Sequence, residues 1–299
     1  MKNLILLACL GLVCFAASAK ASDAPLRVVA SFSILADMVQ NVGGDGVVVT
    51  SLVGPNSDAH SYQPTPEDVK TVTKADLIIV NGLGFEGWMQ RLIEASGTKG
   101  AVVVTSKGVK PLTLTDNGKT VPDPHAWQDL ANGRVYVKNI AAALESAAPD
   151  RAAFFRERAA RYDAELLKAD KAVRDQLAGI PFAQRKIITS HDSFGYFGAA
   201  YGVTFLAPSG LSAEAEASAF DVARLIRQIK TEGVKQLFME NMANPRLIEQ
   251  IAKDTGAQMG GTLYSDALSP LQGPAPSYLA MFGNNVPKFR TAMLLMENR

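Results

Sequence analysis

The sequence predicts an α/β fold of two sandwich lobes, each built on a parallel sheet, joined by one long rigid helix. Three observations carry this reading. Short β-branched runs alternate with helical patterns from Leu26 onward, the same rhythm returns at Lys186, and the longest helical pattern of the chain lies between them. Strands alternating with helices form parallel βαβ units, whose apolar runs are nearly continuous because both sheet faces are covered. The 299 residues suit two domains of roughly 150 residues each.

Taken in order, residues 1–21 read as an export signal. Lys2 gives a positive start, an apolar run extends from Leu4 to Ala17, and Ala17, Ala19 and Ala21 supply small residues for cleavage. That run is shorter than the roughly 20 residues a membrane-spanning helix needs. Cleavage after Ala19 or Ala21 removes Cys9 and Cys14, so the exported chain carries neither a disulfide nor a thiolate ligand. The rival reading, a lipid-modified Cys9 in Leu6-Leu7-Ala8-Cys9, is set against the short apolar run before it and the good cleavage site after it. Composition narrows the function as well. The chain has 30 Lys+Arg against 29 Asp+Glu, and losing Lys2 and Lys20 leaves 28 basic against 29 acidic residues. Such balance gives no support to nucleic-acid or membrane-surface binding through a basic face.

The first lobe is expected over 22–143. LRVVAS reads as a strand, ILADMVQNV as a helix ending at Gly43-Gly44, VVVTSLV as a strand and PEDVKTVTKA as a helix opened by Pro66. DLIIVN, GWMQRLIEAS and AVVVTS follow as strand, helix and strand. The connection spans 144–180. Asp150 is a plausible N-cap, and Phe155, Ala159, Tyr162, Leu166, Val173 and Leu177 recur at helical spacings until Gly179 and Pro181 stop the run. A helix over 150–177 would reach roughly 40 Å, about the length of a small domain. The second lobe occupies 181–299, with KIITS, VTFLA, QLFME and GTLYS as strands among helical patterns. A local rhyme between VVASFSILADMVQNVGGDGVVVTSLVG and IITSHDSFGYFGAAYGVTFLAPSG suggests related lobes, although generic βαβ patterning produces such rhymes too.

The three histidines carry the chemistry. A lone histidine is ordinarily a structural residue, but here each lies in a loop, and ligands of α/β domains collect at the carboxyl ends of strands. His191 directly follows the strand IITS, His60 follows VVVTSLV by a short loop, His125 sits in PDPHAWQD, and Asp266 follows GTLYS. Three neutral imidazoles and one carboxylate complete a four-coordinate site for a borderline divalent cation. Two ligands from each lobe would place that ion in the interlobe cleft.

The runs HSYQPTPED at His60–Asp68, DPHAW at Asp123–Trp127, SHDSFGYF at Ser190–Phe197 and YSDALS at Tyr264–Ser269 resemble, in order, the ligand motifs of a known family. That family is the metal-binding solute-binding proteins of ABC transporters, the zinc and manganese group often called cluster A-I. The resemblance covers essentially the whole exported chain. It implies a monomeric periplasmic binding protein and not an enzyme, with the ion between two lobes and a permease in the inner membrane as partner. Carried over position by position, the metal ligands are His60, His125, His191 and Asp266. Zinc members often carry a His- and acid-rich loop before the second motif, whereas GVKPLTLTDNGKTVPDP contains no histidine. Manganese members commonly place Glu third, where this chain has His191. The nitrogen-rich set favours zinc, with manganese as the alternative. A stiff connecting helix is expected to resist wide hinge closure, so release would rely on local movement around His60, His125 or Asp266.

Other features point elsewhere and are weighed against this. Gly82-Leu83-Gly84-Phe85-Glu86-Gly87 is a literal G-x-G-x-x-G after a strand, yet it follows the third strand of its lobe and lacks a ribose-binding acid between Glu94 and Asp116. Ser190-His191-Asp192 cannot converge as a hydrolytic triad, because consecutive residues do not meet as nucleophile, base and orienter. A zinc hydrolase with Glu240 as base is opposed by four protein ligands filling a tetrahedral shell. A structural metal, as in an adhesin, would be recognised by unfolding on metal loss. Around the ligands, Tyr62, Trp127 and Phe194 are expected as a dry wall, and Asp192, Asp129 and Glu240 as partners that orient imidazoles.

Overall fold

The computed structural model describes residues 24–116, 118–208 and 219–296. The export signal and both cysteines lie outside these described residues. The first lobe runs β1 (Leu26–Phe32), α1 (Ser33–Gly43), β2 (Val47–Val53), α2 (Pro66–Thr73), β3 (Leu77–Val80), α3 (Met89–Ser96) and β4 (Ala101–Val104). Its four strands pair in parallel in the order β2-β1-β3-β4. A hairpin of β5 (Thr113–Asp116) and β6 (Lys119–Pro122) and the helix α4 (Leu130–Ala147) follow.

The second lobe contains β7 (Lys186–Ile188), α6 (Gly195–Tyr201), β8 (Thr204–Leu206), α7 (Ala219–Glu232), β9 (Gln236–Glu240), α8 (Pro245–Thr255), β10 (Gln258–Leu263) and α9 (Tyr278–Leu294). Its strands are again parallel, in the order β10-β9-β7-β8. Read from the other edge, this is the order of the first sheet: second strand, first, third, fourth. The local rhyme in sequence is therefore accompanied by a common topology. In both sheets the chain reverses its direction of travel beside the first strand, and that switch point is where crevices open in parallel sheets.

Local chemistry explains the boundaries. Thr65 and Asp68 form a reciprocal capping box before Pro66, and Gly97, Gly202 and Gly256 close α3, α6 and α8 in the left-handed conformation. The connecting helix α5 (Ala152–Leu177) begins later than the spacing predicts. Pro149 with its fixed φ starts a 3-10 turn over Pro149–Arg151, so Asp150 sits inside that turn and is not the N-cap. Twenty-six residues give the helix a length of about 39 Å. All six apolar positions read from the sequence, Phe155 to Leu177, are buried.

Around α5 one hydrophobic core is continuous from lobe to lobe. It includes Phe32 and Leu35 of the first lobe, Phe155, Tyr162 and Leu166 of α5, and Phe194, Phe197 and Phe289 of the second. A smaller cluster lies on the far face of the second sheet, where Leu225, Ile229, Ile248 and Ile251 meet Ile188 and Leu237. Full burial of one such side chain stabilises the fold by about 1.5–3 kcal/mol. No helix of the described residues is long and apolar enough to cross a membrane.

Candidate metal centre

Four loops deliver the candidate residues. His60 lies between β2 and α2, and its backbone N–H donates to the Asp58 carboxylate at 2.7 Å. Trp88 Nε1 donates to the Ala59 carbonyl at 2.7 Å, which fixes the peptide just before His60. His125 sits between the hairpin and α4. Asp123 Oδ1 accepts both its backbone N–H, at 3.0 Å, and its ring Nδ1, at 2.7 Å. His191 follows β7 and faces Glu240 at the end of β9. Asp266 follows β10.

Glu240 is the anchor of the His191 loop. Its Oε1 accepts the backbone N–H groups of Ser190 and His191, both at 3.0 Å, and the Ser190 hydroxyl at 2.8 Å. Its Oε2 accepts the Ser193 hydroxyl at 2.9 Å and stands 2.7 Å from His191 Nδ1. That last approach lacks the alignment of a full hydrogen bond and acts as an ion pair. With carboxylates on the Nδ1 side of His125 and His191, both rings present Nε2 to the centre.

There the candidate ligand atoms meet. His60 Nε2 lies 3.1 Å from His125 Nε2, and Asp266 Oδ2 lies 3.0 Å from His191 Nε2, 3.4 Å from His60 Nε2 and 3.7 Å from His125 Nε2. All four candidate ligand atoms fall within 4.8 Å of one another. Asp266 Oδ1 is buried without a hydrogen-bond partner among the described residues. A solvent-free carboxylate oxygen left unpaired is expensive unless something charged satisfies it.

The electrostatics follow from this crowding. Burial opposes charge on Asp266, but His125 and His191 overcome it and hold the carboxyl well below the usual carboxylate range. Burial likewise disfavours the His191 imidazolium, yet Glu240 and Asp266 outweigh it and push the ring well above its ordinary value. His125 is raised against burial by Asp266 and Asp123. His60 is lowered, because burial outweighs the pull of Asp266. Glu240 is held down against burial by His191.

The expected surroundings are partly realised. Trp127 is fully buried beside His125, with ring centroids 5.4 Å apart. Tyr62 instead meets Trp88 edge-on and donates to Asp68 at 2.8 Å. Phe194 stacks on Phe205 at 5.0 Å and meets Phe289 edge-on, which places it in the second lobe's core. Asp129 caps α4 by accepting the Ala131 N–H. Among the described residues no hydrogen bond joins Asp192 to an imidazole, although its carboxyl is pushed up by burial and by neighbouring Asp123. Of the proposed orienting acids, Glu240 alone holds a ring, so it is not free to serve as a hydrolytic base. Two further residues complete these surroundings. Asp123 orients His125, and Phe85 sets its ring 4.4 Å from that of His60.

Phe85 belongs to the Gly-rich turn. Gly82 and Gly84 adopt φ of 83° and 85°, and a Cβ at Gly82 would stand 2.5 Å from Val104 Cγ1. The turn wraps around its own half-buried Glu86, which accepts the N–H groups of Asn81 at 2.6 Å and Gly82 at 3.2 Å and the Ser31 hydroxyl at 2.6 Å. The amides that would cradle a pyrophosphate are thus occupied by a carboxylate. The turn's product is the placement of Phe85.

A family model described as zinc-uptake complex component A, periplasmic, matches residues 28–292. The iron-binding protein YfeA of Yersinia pestis is 33% identical over 261 residues, covering 87% of this chain and 84% of that protein. The manganese ABC transporter substrate-binding lipoprotein PsaA of Streptococcus mitis is 33% identical over 275 residues, 90% of this chain and 89% of that one. Among solved structures, the periplasmic zinc binding protein TroA from Treponema pallidum matches with a TM-score of 0.85 at 29% identity, over 90% of this chain and 99% of the other.

Proposed function

The chain belongs to the periplasmic zinc-uptake component A family, and from that premise we propose that it carries one zinc ion on His60, His125, His191 and Asp266 to a permease in the inner membrane. The protein is the substrate-binding component of an ABC metal transporter and not an enzyme. The ion is cargo, so the site must bind it tightly and also let it go.

The observation that carries the zinc reading is the convergence of three Nε2 atoms on one buried carboxylate. Four of the six separations among these atoms run from 3.0 to 3.7 Å, and all fall within 4.8 Å. A tetrahedron with metal–ligand bonds of about 2.05 Å has edges of about 3.3 Å. Zinc accepts such nitrogen-rich tetrahedral coordination, while manganese sits lower in the affinity order and prefers more oxygen. Manganese is the second reading, supported by relatives named for it and by Asp266 Oδ1, a spare oxygen able to raise the coordination number.

Calorimetric titration of the wild-type chain and its four single alanine variants tests both the site and the ion. We expect one zinc per chain, zinc favoured over manganese by orders of magnitude, and severe loss in every variant. Unchanged affinity in two variants would refute the ligand set, and equal affinities for the two ions would refute zinc. His191→Glu should narrow the gap between the ions.

We further infer a monomer organised as 22–143, 144–180 and 181–299, released to the periplasm after cleavage at Ala19 or Ala21. Several relatives are named lipoproteins, so lipid on Cys9 is the competing outcome. The intact mass of the exported protein decides between them.

A further inference from the structure

The loop that carries Asp266 follows β10 in the second lobe, yet its backbone is bonded to the first. The Ser265 carbonyl accepts from Trp127 Nε1 and Gln128 Nε2, each at 2.8 Å. Three residues on, the Leu268 N–H donates to Ser33 Oγ at 3.0 Å and the Leu268 carbonyl accepts the Asn56 N–H at 3.0 Å. Ser33 opens α1, Asn56 lies four residues before His60, and Trp127 and Gln128 lie two and three residues after His125. Hydrogen bonds from the first lobe therefore bracket Asp266 on both sides in the sequence.

Ties to the second lobe exist and lie mainly upstream. Asn285 of α9 accepts the Tyr264 N–H at 3.1 Å and donates to the Tyr264 carbonyl at 2.6 Å. Asn241 donates to the Ala267 carbonyl at 3.2 Å, but the same amide group also donates to Asn56 at 2.8 Å. From Ser265 onward the loop is shared, the Ser265 hydroxyl donating to Met242 Sδ at 3.7 Å in the second lobe while the Ser265 and Leu268 backbones are held by the first. His191 is anchored otherwise, through Glu240 and β7 of its own lobe.

We propose that Gln128 and Ser33 are positioning residues that hold Asp266 as part of the first lobe, so that metal release parts His191 from a unit of His60, His125 and Asp266. The inference rests on the metal reading above. It moves the breaking point from the loops of His60, His125 and Asp266 to the strand end of the second lobe. Gln128 is the decisive side chain. It is fully buried, and with Trp127 it fills both lone pairs of the Ser265 carbonyl. That fixes the peptide plane from which the Asp266 side chain departs.

Two measurements test it. Residues 22–299 contain no cysteine, so spin labels can be placed cleanly at exposed Val48, Leu271 and Met259, which are 55%, 83% and 39% exposed. Val48 reports the first lobe, Leu271 the Asp266 loop and Met259 the second lobe. Removing zinc should leave the Val48–Leu271 distance unchanged while the Val48–Met259 distance shifts or broadens. A common shift of both pairs, or no shift of either, overturns the proposal. In the second measurement, Gln128→Leu keeps the buried volume and deletes the donor. Its zinc dissociation rate, followed by chelator chase, should rise by about tenfold or more, the scale of lost support behind a ligand. The association rate and the metal-free melting temperature should change far less. An unchanged dissociation rate overturns the role of Gln128. Stoichiometric zinc binding by the wild-type chain checks the metal reading separately, so failure there is distinguishable.

Discussion

Zinc binding should release protons, and His125 and His191 set how many. In the metal-free site Glu240 and Asp266 hold the His191 imidazolium against burial, and Asp266 and Asp123 do the same for His125. A metal needs the Nε2 lone pair that the proton occupies. Each displaced proton makes affinity fall about tenfold per pH unit, or about 1.4 kcal/mol. With one to two protons displaced, lowering the pH from 7.5 to 6.0 should weaken zinc binding by about 30- to 1,000-fold. Calorimetric titration at pH 7 in two buffers of different ionisation enthalpy counts the protons directly. Zero release, or a flat affinity across that range, would refute the electrostatic account of the site. The same shifts bear on stability with opposite signs in the two forms. A raised histidine pKa stabilises the metal-free fold fully below the unfolded value near 6.5, and this contribution is lost as pH rises through the folded value. Zinc binding strengthens over the same interval. The thermal upshift produced by zinc should therefore grow between pH 6 and 8.

Glu240→Gln should lower zinc affinity by about 10- to 100-fold, because an amide group facing His191 Nδ1 favours the wrong tautomer; chelator competition reads this, and unchanged affinity would contradict the anchoring role. Asp37 in α1 accepts the Tyr278 N–H at 2.9 Å and is raised to about 6 by burial. A raised carboxyl pKa costs stability progressively as pH climbs from the unfolded value near 4 through the folded one, here about 3 kcal/mol in full. Asp37→Asn should accordingly raise the melting temperature at pH 8 and lose its advantage near pH 4, as scanning calorimetry would show. Phe85→Ala should speed zinc exchange by opening the wall beside His60, and an unaltered chelator-chase rate would argue that the ring is only core.

The fold was legible wherever period and composition coincide. The central strands β1 and β3 and the helical spacing from Phe155 to Leu177 bury the faces that the pattern indicates, whereas the edge strands β2 and β4 leave Val48, Val102 and Val104 exposed despite equally apolar sequences. α4 and α9 each bury a single stripe at spacings of three and four, Leu130 to Leu144 and Tyr278 to Met293, but Gly133 and Asn285 interrupt those stripes and Pro287 argues against a helix; the caps Asp129 and Ser277 were their clearest signals. Three of the four candidate ligands, His60, His191 and Asp266, were signalled by strand ends, and His125 by its motif DPHAW. Their supports could not be named equally well. Glu240 ends a strand and was visible, whereas Asp123 orients His125 through a two-residue turn that no periodicity marks. Phe85 was hidden inside a glycine pattern with a better-known use, and only the φ values of that turn reveal what it is for.

The two hydrophobic clusters give the molecule an uneven grain. Because one core threads both lobes through α5, neither lobe can be cut away without stripping an apolar face from the connecting helix, and the bulk of the chain should melt as a unit. The layer of α7 and α8 is different, for it rests on the smaller cluster beyond the second sheet. Amide hydrogens there can exchange through local opening while those of α4 and α5 wait for global unfolding. β7 and β9, which carry His191 and Glu240, form the partition between these regions. A binding protein built this way can soften one side of its metal site without loosening the other.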